Sequence, residues 1–285
     1  MANLRDLRRR IRSVRSTQQI TKAMKMVSAA RLRRAQDAIL AARPYARKLQ
    51  EILASVAARS EAGLHPLLAE RPGGKVEVVV VGGDRGLCGS FNSNVFRRGL
   101  ALARQQGDRL GGVHVVGRKA RDFFRRRGLP IQSERVDQFR GLDYARAAGI
   151  AQALAGRFTG GEAAEIHVVY NEFKSVAQQR VAVERWLPVE RAALAERRRL
   201  PDYIYEPEPE RLLASLLPLH VEFQIYRVLL ESNAAEQAAR MAAMDAASRN
   251  ATDVIGDLTL HLNRVRQATI TKELIEVISG AEALT

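Results

Sequence analysis

The sequence predicts an α/β fold carried on long helices: an antiparallel coiled coil of the N- and C-terminal helices with an inserted Rossmann-like, mainly parallel α/β domain. Three observations predict it. Residues 1–60 and 209–285 both carry apolar stripes at three- and four-residue steps. The segment between them alternates β-branched runs with helical patterns. A domain-sized insert between two such helices lets them pair most simply in antiparallel fashion. The chain divides accordingly into an N-terminal helix over 1–60, an α/β domain over 75–190, and a C-terminal helix over 209–285 that pairs with the first.

In the first helix Leu4, Leu7, Ile11 and Val14 open the stripe, which returns as Leu32, Ala35, Ile39, Ala42, Ala46, Leu49, Leu53 and Val56. Between these runs the strict stride lands on Gln18, Thr21, Lys25 and Ser28, while Ile20, Met24 and Val27 lie one position earlier. This predicts a seam that shifts face. Pro44 cannot donate to the carbonyl of Leu40, which predicts a kink or break there. Sixty continuous helical residues would reach about 90 Å.

The strands are expected at 75–83, 111–117, 129–136, 164–170 and 180–188, with helices at 93–106, 119–127 and 143–158. The last strand follows without a clear crossover helix, so it reads as an antiparallel edge. The C-terminal helix begins at the EPEPE segment, with Pro218 delaying its regular part. Its stripe reads Val221, Ile225, Val228, Ser232, Ala235, Ala239, Ala242 and Ala246, then Ile255, Leu258, Leu262 and Val265.

The chain has 285 residues, 46% of them apolar, and a formal net charge of +15. Such a charge ordinarily suggests nucleic acid, an anionic membrane or an acidic protein partner. Residues 1–60 carry fifteen Lys and Arg against three acids, whereas 209–285 carry seven against ten. Arg8, Arg9, Arg10, Arg12 and Arg15 could meet phosphates, but Leu7 and Ile11 set a pairing stripe in the same place and no aromatic residue stands ready to stack on bases. A protein-facing or solvated basic surface is the more economical reading, with no nucleic acid.

The single cysteine, Cys88, excludes a disulfide framework within the chain and favours a reducing compartment. The five histidines form no ligand pair at helical spacing, so no metal is expected. No run of roughly 20 apolar residues suggests a membrane span. The turn GGDRGLCGSFN (82–92) is the only phosphate-loop-like segment, yet it matches neither dinucleotide nor P-loop spacing. It reads as a turn of special backbone geometry, with Cys88 a small buried side chain. Both helical stripes lose their apolar residues once, at Gln18 to Ser28 and at Arg266 to Glu273, where either a third body or local unpairing would account for the gap.

Six segments, in order, resemble the gamma-subunit family of F-type ATP synthases: IRSVRSTQQITKAMKMVSAARLRRAQ (11–36), RPYA (43–46), DRGLCGSFN (84–92), YEPEPE (205–210), EQAARMAAM (236–244) and NRVRQATITKELIEVISGAEAL (263–284). The resemblance implies a noncatalytic central rotor stalk inside a ring of three α and three β subunits. It couples rotation of a membrane c ring, driven by protons, to conformational change at catalytic sites on β. It also implies an epsilon subunit as partner, no cofactor, and peripheral attachment at the cytoplasmic face of the bacterial plasma membrane without insertion. Met24, Lys25, Arg266, Gln267 and Thr271 match positions where the shaft meets β. Arg31, Arg33, Arg34 and Arg85 are candidates for acidic levers on β, and Tyr205, Glu206 and Glu208 match the foot facing the c ring and epsilon. Two features bear on source: no cysteine pair accompanies a thiol switch, and the start MANLRDLRRR lacks an extended transit sequence, which fits a bacterial chain.

Overall fold

The computed structural model describes residues 4–57, 65–176, 178–190, 203 and 205–282. These form two compact units, one of residues up to Ser28 with those from Met241 onward, the other of Ala29–Arg240. Helix α1 (Leu4–Ala57) and helix α5 (Pro209–Glu282) each contribute to both.

The larger unit holds a five-stranded sheet in the order β3-β2-β1-β4-β5. In chain order its elements are β1 (Val76–Val81), α2 (Phe91–Gln106), β2 (Leu110–Val116), α3 (Arg118–Arg125), β3 (Ile131–Arg135), α4 (Tyr144–Thr159), β4 (Glu165–Phe173) and β5 (Gln179–Leu187). Strands β3, β2, β1 and β4 run parallel, and β5 pairs antiparallel with β4 at the edge. The expected strands and helices are thus all present, including the antiparallel last strand.

β1 is central and buried at all six positions, which is why it reads as an unbroken valine run after Glu77. Val78 and Val80 face α2 and α3 with Phe96, Ala120 and Phe124. Val79 and Val81 face α4 with Ile150, Leu154 and Phe158, alongside Leu53 of α1 and Leu217, Val221 and Val228 of α5. Each fully buried valine contributes about 1.5–3 kcal/mol, so two apolar faces hold the strand.

One charged residue interrupts this strand. Glu77 is fully buried, with His114 Nε2 at 2.8 Å from its carboxylate and Arg157 of α4 donating through Nε at 3.0 Å. His114 in turn meets Ser133 Oγ at 2.8 Å across β3. Burial alone would push the Glu77 carboxyl up, but the hydrogen bonds from His114 and Arg157 and their charges overcome it and hold the pKa at about 2.

The helices are more continuous than expected. α1 runs through Pro44, and α5 runs through Pro218 from Pro209 onward. Pro218 leaves the carbonyl of Ala214 without its helical donor, and His65, whose Nδ1 accepts from Leu67 N at 3.2 Å, lies beside that carbonyl. α5 also contains a window apolar enough to cross a membrane by length and composition, contrary to the expectation that no such run is present. Half of that window is buried within the protein, as the core helix of a globular unit would be.

Gly117, at φ +95°, abuts β1: a Cβ there would lie 2.1 Å from the carbonyl oxygen of Gly82. Gly117→Ala is expected to destabilise the α/β unit by at least about 2 kcal/mol in denaturant titration. Gly149 in α4 has open space, and Gly149→Ala is expected to stabilise by about 0.5–1 kcal/mol.

Acidification should act in two stages. Burial holds the His220 imidazole at a pKa of about 4, and the Arg227 charge adds to this. Both folded values lie below the ordinary ones, so each group contributes stability above its unfolded pKa and loses it as pH falls. The window is about 6.5 to 4 for His220 and about 4.5 to 2 for Glu77. His220→Gln should flatten the upper part of a stability–pH curve and Glu77→Gln the lower, each by up to about 3 kcal/mol.

Candidate functional site

The turn from Gly82 to Asn92 lies at the carboxyl ends of β1 and β4, where neighbouring connections diverge and sheets of this kind ordinarily bind ligands. Its conformation is held from within. Leu87 takes a φ of +61°, Asn92 Oδ1 accepts from Gly83 N at 2.9 Å, and Asp84 Oδ1 accepts from the backbone of Arg118 and Asp137 at 2.9 and 3.0 Å. Asp84 thereby ties the ends of three successive strand connections together.

The crevice itself is filled by α5. Ala235 and Ala239 pack against Cys88 and Phe91, with Phe173 at the margin. A Cβ on Gly83 would lie 3.0 Å from the Glu236 carboxyl carbon, so a larger residue there would push against that side chain. Glu236 and Arg240 form a buried ion pair one helical turn apart, and Arg240 also donates to Gly86 O at 3.3 Å. Burial pushes the Glu236 carboxyl up and the Arg240 charge opposes it. The Cys88 thiol is pushed up by burial and by Glu236, which leaves it a buried small side chain and not a nucleophile.

Arg85 stands exposed at the tip of this turn. Arg31, Arg33 and Arg34 are exposed on α1 around buried Leu32 and make no ion pair among the described residues. Family resemblance singles out EQAARMAAM but gives Glu236 and Arg240 no role. A charged pair four residues apart within a run of alanines was the available signal, because small neighbours allow a helix to be enclosed on every side.

In the smaller unit the buried stripe of α1 does not shift face. It keeps the strict stride through the polar residues: Thr21 and Ser28 are 8% and 2% exposed, while Ile20, Met26 and Val27 are 57%, 66% and 52% exposed. The reason is the partner helix. Gln18 Nε2 donates to Thr252 Oγ1 at 2.7 Å and Lys25 pairs with Asp245, so polar side chains find partners inward and apolar ones turn outward. The pairings 18 with 252 and 25 with 245 run in opposite directions along the two helices. The stripe of α5 is also corrected: Ala242 and Ala246 are exposed, and Met244 and Ala251 are the buried residues.

Met24 and Lys25 are half-buried, and Asp245 holds Arg249 at 2.6 Å as well as Lys25. The hydrogen bond from Lys25, with the charge of Arg249, lowers the Asp245 pKa. Arg266, Gln267 and Thr271 are exposed, and the Thr271 hydroxyl donates to its own helix at Gln267 O, 2.9 Å away. From Arg266 to Ser279 only Thr269 is even partly covered, which is the unpairing that the second polar gap allowed. Ile270, Leu274, Ile275, Val277 and Ile278 are all exposed there.

At the start of α5 the three foot residues separate. Tyr205 is half-buried, its hydroxyl 2.6 Å from Ser55 Oγ, whereas Glu206 and Glu208 are exposed and Glu208 meets Arg211 at 3.2 Å. No group of His, Cys, Asp and Glu among the described residues is arranged to hold a metal ion.

The family profile described as ATP synthase matches residues 3–284. The ATP synthase gamma chain of Desulforamulus reducens is 47% identical over 284 residues, covering all of both chains. That of an Anaeromyxobacter species is 50% identical over 289 residues, again covering all of both. Among solved structures, a chain from the central stalk and c ring of Tetrahymena thermophila mitochondrial ATP synthase is 29% identical with a TM-score of 0.61, over 80% of this chain and 99% of that one. A chain from the rotor of Euglena gracilis mitochondrial ATP synthase shares the fold at 19% identity and a TM-score of 0.65, over 94% of this chain and 98% of that one. With a profile match over nearly every residue and full-length relatives near half identity, the chain belongs to the ATP synthase gamma chain family.

Proposed function

We propose that the chain is the noncatalytic central rotor stalk of a proton-translocating ATP synthase at the cytoplasmic face of a bacterial plasma membrane. The observation that carries this reading is the end-to-end similarity to ATP synthase gamma chains, one structural neighbour being a central stalk seen with its c ring. In this reading residues 1–60 and 209–285 pair as an antiparallel left-handed coiled coil that carries the α/β domain over 75–190. Gln18 with Thr252 and Lys25 with Asp245 support antiparallel pairing in the smaller unit, and the Tyr45–Phe223 ring contact at 5.2 Å supports side-by-side pairing in the larger.

The physical action is a bias on equilibria. A single chain inside a ring of three α and three β subunits has no threefold symmetry, so it touches each β differently. Each catalytic site on β then changes nucleotide affinity only by the difference in contact free energy between its conformations. The chain binds no nucleotide in this scheme and needs no cofactor. The filled crevice beside the 82–92 turn supports that assignment.

Arg266, Gln267 and Thr271, with Met24 and Lys25, are proposed to meet β. Their exposure on α5 and the uncovered apolar residues beside them support it, while Lys25 would share its charge with Asp245. Arg31, Arg33, Arg34 and Arg85 are proposed to face acidic levers on β, an attraction that is modest at hydrated surfaces. Glu206 and Glu208 are proposed to present the foot to the c ring and epsilon, with Tyr205 bracing it against Ser55 from behind.

Coexpression with cognate α and β subunits is expected to yield a complex with one copy of this chain per three of each, and ATP hydrolysis that depends on that copy. A well-folded chain that joins no ring would overturn the reading. Arg266→Ala and Gln267→Ala are each expected to lower coupled turnover about five- to tenfold, the weight of one ordinary hydrogen bond, with helicity unchanged by circular dichroism. Unaltered turnover would remove both residues from the contact.

A further inference from the structure

A second concentration of positive charge lies apart from the two long helices. Residues 91–127, spanning α2 and α3, hold ten Lys and Arg against two acids, Asp108 and Asp122. The two helices lie side by side on one face of the sheet, with Phe96 and Phe123 ring centroids 5.0 Å apart. Their outer surface carries Arg97, Arg98, Arg104, Lys119, Arg126 and Arg127, all exposed and none in an ion pair among the described residues. The spacing of Arg97 and Arg104, seven residues, stacks them on one side of α2. Asp122 beside them has its pKa lowered, first by the hydrogen bond from Arg121 and then by the charges of Lys119 and Arg126.

What the surface lacks identifies its partner. A protein interface centres on exposed aromatic or aliphatic anchors, and no large hydrophobic residue between Leu87 and Val176 is exposed. Nor is there an open ring to stack on a base: Phe96 and Phe124 are buried, and the Arg127 guanidinium covers the Phe123 ring at 3.5 Å. Unanchored, unpaired cations spread over a helical face suit a partner that is itself a diffuse sheet of negative charge.

We propose that the α2–α3 face is an electrostatic docking surface for anionic phospholipid headgroups. The attraction is of the kind that draws polybasic segments to acidic leaflets, and it decays within a Debye length. It needs no ring partner, and so stands apart from the rotor reading.

The test is partition of the full chain onto vesicles rich in phosphatidylglycerol, against vesicles of phosphatidylcholine alone, over a salt series. The combined variant Arg97→Gln, Arg98→Gln, Lys119→Gln and Arg126→Gln should lower partition about a hundredfold or more, each cation near such a surface being worth about a fivefold factor. The matching variant at Arg8, Arg9, Arg10 and Arg12 of α1 should lower it less than about fivefold. Lysine at Arg97, Arg98 and Arg126 should retain binding, which separates charge from any folding defect in the glutamine variant. Equal loss from the two glutamine variants, equal binding to both vesicle types, or loss of duplex DNA binding with vesicle binding retained would overturn the proposal.

Discussion

Seven consecutive residues of α5, Ala234 to Arg240, are buried on every side, and the organisation of the larger unit follows from that enclosure. An ordinary surface helix keeps one face in water and can place its charges there. An enclosed helix has no such face. Its side chains must be small where backbones approach, which Ala234, Ala235, Ala238 and Ala239 are, and its charges must neutralise one another along the helix, as Glu236 and Arg240 do. The same limit extends to the turn opposite, where glycine at 83 leaves room for a carboxylate. Removing one partner of such a pair is far costlier than never having had the pair, so it specifies position more than it adds stability.

Much of this architecture was legible in the sequence, and the misses have a common cause. The strands stood out because a buried parallel strand needs β-branched residues at nearly every position, and the antiparallel edge followed from the missing crossover. What pattern alone misjudged was the seam of α1 between Gln18 and Ser28. One helix read by itself assigns polar residues to water, but Asp245 and Thr252 on the other helix make those positions favourable inside. The interruption expected at Pro44 and the delayed start expected at Pro218 do not occur, and both prolines lie inside continuous helices.

The candidate contact residues divide along the same line. Arg266 and Gln267 were found through family resemblance, and their exposure agrees with a surface role. Tyr205 was grouped with Glu206 and Glu208 because they adjoin in sequence, yet its hydroxyl turns inward to Ser55. Adjacency along a loop carries no information about which side chains face out, because each bend re-aims the next residue, and the chain bends at Glu206 and Pro207. Glu236 and Arg240 escaped notice because their importance lies in what surrounds them.

The enclosure of α5 also settles the chemical accessibility of the chain. Cys88 is the sole thiol, sealed between Phe91 and the alanines of α5 and held protonated by its surroundings. To a water-borne maleimide the native protein is therefore close to a cysteine-free background. A thiol introduced on the exposed stretch of α5 or beside Glu208 would carry a fluorophore or spin label alone, with no residue of the native chain to be removed first.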